Sequence, residues 1–191
     1  QDGSYLIEEI DHGFLMAEPE PEKYNSYLTT DGKQYFGDRW TIDATEELTL
    51  DISEWNLRHL INEIIDQFEI KTEQKKIKFI HDHTSTNLKV TADRDKMTQV
   101  LINLISNSIK YGKRGGFIKI SCHQAKDKCV VRIKDNGIGI AEKKLPRLFE
   151  RFYRVDKSRS REQGGTGLGL AIVKHIIEAH GLEINVQSKF G

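Results

Sequence analysis

Cysteine is scarce, with only Cys122 and Cys129 in 191 residues. Two thiols build no disulfide framework, and their spacing matches no metal-ligand pattern, so both read as reduced core residues of a cytosolic-type compartment. Long apolar runs are missing: none approaches the roughly 20 residues that cross a bilayer. The N-terminus also lacks the basic-then-apolar pattern of a secretory signal. There is no internal repeat. Net charge is zero, which argues against a chain whose whole surface serves a polyanion. The charge is unevenly divided, however. Residues 1–47 hold 12 acidic and 3 basic side chains, leaving 17 acidic and 26 basic in the remainder. A basic half can serve nucleic acid or a phosphate ligand. The aromatic or groove-reading elements of a nucleic-acid module are absent, so a phosphate ligand fits better and no nucleic-acid partner is expected.

Hydrophobic residues make up 37% of the chain and charged residues 30%, enough for one well-cored domain plus an appendage. Residues 1–47 read as an acidic extension or linker. Glu18-Pro19-Glu20-Pro21-Glu22 is a proline-broken acidic stretch, and Thr30-Asp31-Gly32-Lys33 is a candidate hairpin turn. From 48 to 191 the pattern tightens into a domain. Leu48–Ile52 alternates like a strand, and Ser53 then offers an N-cap to a helix carrying Leu57, Leu60, Ile61, Ile64, Ile65 and Phe68. Ile77–Ile80 and Leu88–Val90 read as strands. Asp93 caps a long helix with apolar positions Met97, Val100, Leu101, Leu104, Ile105 and Ile109. Phe117–Cys122 and Lys128–Ile133 pair as a hairpin. Leu168–His180 reads as a helix and Leu182–Val186 as a strand. About six strands and three long helices, mixed in order, predict an α+β fold: a two-layer α/β sandwich with a mixed sheet.

Three segments carry chemistry. The strand ending at Ile133 runs into Asp135-Asn136-Gly137-Ile138-Gly139. A carboxylate at a strand end beside Gly-x-Gly lets a flat ligand lie against the main chain while the acid accepts from its amino group. The Asp93 helix places Asn103 and Asn107 one turn apart on one face. A carboxamide oxygen suits Mg²⁺, which keeps several waters and takes other ligands from phosphates, and Lys110 can meet a phosphate as a point charge. Gly164-Gly165-Thr166-Gly167-Leu168-Gly169, just before a helix, offers backbone amides to an anion. Between the two glycine motifs, Lys157-Ser158-Arg159-Ser160-Arg161 reads as a lid able to close over charged groups.

In this order the segments resemble the catalytic ATP-binding (HATPase_c, GHKL-type) domain of bacterial two-component sensor histidine kinases. Gln99–Tyr111 is similar to the N box, Asp135–Ile140 to the G1 box, Leu148–Arg154 to the F box and Gly165–Leu170 to the G2 box. The likeness covers roughly 48–191 and implies the GHKL/Bergerat fold. It implies that Asp135 accepts from the adenine amino group, with Gly137 and Gly139 shaping the pocket. It implies that Asn107 binds the Mg²⁺ bridging the phosphates of ATP, with Asn103 and Lys110 as catalytic neighbours on that helix. Tyr111 would line the nucleotide. Arg159, Gly165, Thr166, Gly167, Leu168 and Gly169 would hold the phosphates as the lid closes, and Phe149 and Phe152 would pack its base against the core. The activity implied is transfer of the γ-phosphoryl group of ATP to a histidine on a separate helical dimerisation hairpin, with a response regulator downstream. The setting implied is the cytoplasmic part of a membrane-attached homodimer, in an inner-membrane sensor protein.

Two features qualify the likeness. No helical hairpin bearing the phosphoacceptor is evident, so autophosphorylation is not expected of this chain alone; His175 and His180 read as structural. The chain also stops where the family would continue into another core strand. Gyrase-like and chaperone-like ATPases share the fold but carry a glutamate base where this chain has Asn103, which cannot take a proton from water. An ATPase and a non-catalytic nucleotide-sensing module are the alternatives. The charge split adds the possibility of the acidic extension lying on the basic face.

Overall fold

The computed structural model describes residues 3–10, 26–28, 33–36, 40–43, 49–81, 88–125, 128–155 and 166–190, the first four stretches as backbone. Its strands are β1 (Gly3–Ile10), β2 (Ser26–Leu28), β3 (Lys33–Phe36), β4 (Trp40–Asp43), β5 (Ser53–Asn56), β6 (Lys78–His81), β7 (Lys89–Ala92), β8 (Phe117–Ala125), β9 (Lys128–Asp135) and β10 (Glu183–Ser188). Its α-helices are α1 (Leu57–Lys75), α2 (Arg94–Tyr111) and α3 (Gly169–Ala179), with a 3-10 helix at Glu142–Arg147. The main sheet runs β10-β1-β9-β8-β6, antiparallel except for the parallel β6–β8 pair. The expected mixed sheet under three helices is present.

One face of this sheet is apolar because β8 and β9 alternate in register. Ile118, Ile120 and Cys122 lie opposite Asp135, Ile133 and Val131, and all six are buried. Asp135 is thus the polar end of an otherwise apolar row. The α2 helix presents a matching row, Met97, Val100, Leu101, Leu104 and Ile105, all five at 2% exposure or less. Helices α1 and α3 flank it through Leu60, Ile64, Val173 and Ile177.

Several boundaries differ from the sequence reading. The strand expected at Leu48–Ile52 forms instead at Ser53–Asn56, paired with β7, where the Trp55 indole donates to the Ala92 carbonyl at 2.8 Å. Asn56, not Ser53, therefore caps α1, accepting from the amides of Arg58 and His59 at 3.0 and 3.3 Å. The strands β6 and β7 both exist but join different sheets. The segment set apart as an extension contributes strands: β1 lies between β9 and β10, and β2–β3 is a hairpin continued by β4. No described helix is long and apolar enough to cross a membrane.

Asp93 holds the start of α2 as its position predicts. Its Oδ1 accepts from the amides of Asp95 and Lys96 at 3.0 and 3.1 Å, and its Oδ2 from the Asp51 amide at 3.0 Å. These three N–H donors satisfy a buried side chain that would otherwise lack partners. Asp93→Ala removes the cap and orphans the Asp51 amide, so unfolding in urea should show a loss of about 2–3 kcal/mol, while Asp93→Asn retains most of the stability. Burial pushes the Cys129 thiol up to about 12. Since the thiolate is the nucleophile, Cys129 should resist alkylation at pH 8 in the native chain and react fully in denaturant.

Candidate functional site

The end of α2 and the end of β9 meet. The Ile138 amide donates to the Tyr111 carbonyl at 3.3 Å, so the turn after Asp135 is docked on the last turn of α2. A Cβ at Gly137 would lie 2.7 Å from that carbonyl and 2.8 Å from Asp135 Oδ1, so only glycine admits this approach. The Gly137 amide donates to Asp135 Oδ1 at 2.8 Å, which fixes the carboxylate, itself only 8% exposed. Gly139 has φ +68°, and a Cβ there would stand 2.0 Å from the Lys189 carbonyl, pinning the second glycine under the chain leaving β10.

The asparagines sit as the helical spacing predicts, half-buried on one face of α2. Asn103 Nδ2 donates to the Gln99 carbonyl at 3.1 Å, which turns Oδ1 outward to within 2.8 Å of where a Gly169 Cβ would be. The start of α3 therefore packs directly on the amide face of α2. Leu168, the N-cap of α3, has no side-chain cap; instead Thr166 Oγ1 accepts from the Leu168 amide at 3.3 Å. Lys110 lies with its ammonium 5.8 Å from the Tyr111 ring centroid, and Tyr111 is 40% exposed. Of the expected site residues, Tyr111, Asp135 and Gly137 meet where the turn after β9 docks on the end of α2, Lys110 lies beside Tyr111, and Asn103 meets Gly169 at the start of α3; Asn107 lies on α2, Gly139 lies against Lys189 and Gly167 against Phe152, and Thr166 lies beside Leu168. Arg159 and Gly165, with the lid run 157–161, lie outside the described residues.

The aromatic anchors need correcting. Phe152 is 56% exposed and has φ +61°, so it does not pack on the core; its amide instead donates to the Gly167 carbonyl at 3.0 Å. Leu148 is the buried residue of that segment, since the 3-10 helix before it turns Leu148 inward and leaves Phe149 half-buried. Among the histidines, His81 is followed by Asp82, but it ends strand β6 and is on no helix. Burial lowers the His180 pKa to about 3 and its Nδ1 lies 3.1 Å from the Ile176 carbonyl. His175 is lowered by burial and by Arg151. Both are neutral at pH 7, in keeping with structural roles.

Two positioning residues escaped the sequence reading. Asn136 Oδ1 accepts from the Phe117 amide at 2.8 Å, tying the β9 turn to the start of β8. The Lys75 ammonium donates to the carbonyls of Ile109 and Lys110 at 2.7 and 2.8 Å, placing a cation on the C-terminal end of α2. Asn136 sits inside the motif between two stronger signals, whereas Lys75 is 34 residues from its partner and left no local trace.

As for a metal, no group of three or more His, Cys, Asp or Glu that would hold one occurs among the described residues. The donors present are carboxamides, a set that fits Mg²⁺ only when phosphate oxygens and water complete its shell.

Residues 92–191 match the family described as histidine kinase-, DNA gyrase B-, and HSP90-like ATPases. The chain is similar to the sensor histidine kinase WalK of Bacillus subtilis, 47% identical over 123 residues, 63% of this chain and 20% of that protein. It is also similar to the sensor protein kinase WalK of Staphylococcus aureus, 37% identical over 182 residues, 94% of this chain. It spans 20% to 29% of the length of these two relatives. The structure is similar to that of the nucleotide-free catalytic domain of the histidine kinase ThkA, with TM-score 0.61 and 33% identity, covering 68% of this chain and 81% of that one. By this match over more than half of its length, the chain belongs to the family of histidine kinase-, DNA gyrase B- and HSP90-like ATPases.

Proposed function

We propose that this chain is the ATP-binding catalytic domain of a two-component sensor kinase. It binds Mg·ATP and donates the γ-phosphoryl group to the imidazole of a histidine on a helical dimerisation hairpin supplied from outside the described fold. The observation that carries this reading is the convergence of a fixed, buried acceptor, Asp135, with the amide face of α2 and the start of α3 packed on it at Gly169. Asp135 accepts from the exocyclic amino group of adenine, and the glycine turn lets the base lie against main chain. Asn107 would hold the Mg²⁺ that arrives with the nucleotide; when bound, the ion neutralises phosphate charge. Backbone amides at the start of α3 and the Lys110 ammonium meet the remaining phosphate oxygens. The chain's task is then positioning and charge stabilisation, while an imidazole nitrogen bonds to the γ-phosphorus as its bond to the bridging oxygen breaks and ADP leaves.

Hydrolysis is disfavoured by one contact. The Asn103 amide nitrogen is spent on the Gln99 carbonyl, and a carboxamide takes no proton from water, so the helix offers no general base one turn before Asn107. The kinase ThkA has been solved with the response regulator protein TrrA, which supports a response regulator as final acceptor. A homodimer attached to an inner membrane, with this domain in the cytoplasm, is part of the same proposal.

Isothermal titration of the chain with ATP should show Asp135→Asn weakening binding by about 2–3 kcal/mol, roughly 30- to 150-fold, because the amide presents a donor to the adenine amino group. With γ-labelled ATP and Mg²⁺, acid-labile and alkali-stable label should appear on an added histidine-bearing hairpin. Asn107→Ala should reduce that label at least 100-fold and remove the Mg²⁺ dependence of binding. Rapid phosphate release by the unmutated chain alone would sink the kinase reading in favour of an ATPase.

A further inference from the structure

The main sheet takes one strand from far along the chain. Strand β1 lies between β9 and β10 and is antiparallel to both: Gly3 to Ile7 pair with Asp135 to Val131, and Gly3 to Glu8 with Ser188 to Glu183. Among the described residues, β9 and β10 do not pair with each other. At the usual strand spacing of about 4.8 Å their backbones stand roughly 10 Å apart, the width of one strand. Both banks of this gap are anchored without β1. Strand β9 pairs with β8 on its other side. Strand β10 is tied to α3 by the Leu182 amide, which donates to the Ile177 carbonyl at 3.0 Å, and its Ile184 and Val186 pack against the core.

The register brings the start of β1 to the site. Gly3 lies opposite Asp135 on one side and Ser188 on the other. Ser188 is itself a tie to the glycine turn: its Oγ accepts from the Ile140 amide at 2.8 Å. The neighbouring Lys189 carbonyl is the group against which Gly139 is pinned. The turn over 135–140 is thus held at one end by strand pairing and at the other by the end of β10, and Gly3 joins the two. With the gap empty, Asp135 keeps its β8 partner Ile118 but loses the pairing that sets its distance from Ser188.

We propose that the space between β9 and β10 is a strand-binding groove, that Gly3–Ile10 is its exchangeable occupant, and that strand seating and nucleotide binding strengthen each other. The coupling rests on the nucleotide reading above. The groove takes an extended, proline-free segment through main-chain hydrogen bonds, as where a peptide adds a strand to a sheet edge, with the difference that two edges pair with it. The partners of β1 are at least 119 residues away, and closing loops of that length costs chain entropy, so β1 opens before the β8–β9 hairpin does. Seated, it holds Asp135 and the end of β10 one strand spacing to either side. A nucleotide that needs the turn in that form binds better with β1 in place and, by linkage, keeps β1 in place.

Leu6 pairs with Arg132 and Asn185, and a strand paired on both sides does not admit proline, so Leu6→Pro in the full 191-residue chain empties the groove. By calorimetry that variant should bind ATP about tenfold more weakly, a usual size for coupling between two sites. A synthetic peptide of residues 3–10 should restore the affinity, and saturating Mg·ATP should tighten peptide binding by the same factor. A peptide carrying Leu6→Pro should do neither. A merely structural loss would not show this reciprocity. Unchanged ATP affinity in Leu6→Pro, or a peptide that binds without moving it, overturns the inference. If Leu6→Pro does not fold, hydrogen exchange of the unmutated chain decides. Amides of β1 should exchange faster than those between β8 and β9, and should slow about tenfold with Mg·ATP. Exchange at β1 that stays the same while ATP is bound overturns the inference alone. Failure of the unmutated chain to bind ATP overturns the nucleotide reading and this inference together.

Discussion

The docking of the last turn of α2 on the turn after β9 is the contact on which the site depends. It is a main-chain contact, Ile138 amide to Tyr111 carbonyl, made close by the absent side chain of Gly137. Because it joins backbone to backbone, it sets the separation between the acid at 135 and the amides on α2 without relying on any side-chain rotamer. Lys75 reinforces it from the other side by holding the carbonyls of Ile109 and Lys110, and Asn136 fixes the turn to β8. The helix end is therefore tied to α1, β8 and β9 by groups that touch no ligand.

From that joint the helix works as a wall with two working faces. Its buried row faces the sheet, and its amide face meets the start of α3 through the Asn103–Gly169 approach. Rigid α2 thus links the Asp135 carboxylate at one end to the start of α3 about two turns back, a distance set by the 1.5 Å helical rise per residue.

The residues proposed for the site stand out in the sequence because each signal is local. Asp135 followed by Gly137 and Gly139, Asn103 four before Asn107, and Gly167 and Gly169 before a helix are patterns of adjacent residues with one physical reading apiece. The Asp93 cap was legible for the same reason. What failed was decided by tertiary partners. Ser53 is a good N-cap in isolation, yet pairing with β7 keeps residues 53–56 extended and hands the cap to Asn56. The family resemblance implied that Phe152 packs on the core, but its backbone bond to Gly167 holds it outward in a left-handed conformation. The sheet position of β1 depends on partners at least 119 residues away, the Ile10–Cys129 separation, beyond any local pattern.

The polar residues of α2 also explain how its stability is arranged. Asn103 and Asn107 are middling helix formers, and Ser108 puts an unsatisfied hydroxyl in the core. Each of these weakens the helix that must be most rigid. The compensation lies at the ends: a three-donor Asp93 cap at one terminus and the Lys75 ammonium with the Tyr111–Ile138 bond at the other. Fixing the termini through tertiary contacts removes the fraying that low propensity would otherwise cause. The middle of the helix is thereby free to carry polar residues of middling propensity, and the ties at its two ends surround the place where local preference is weakest.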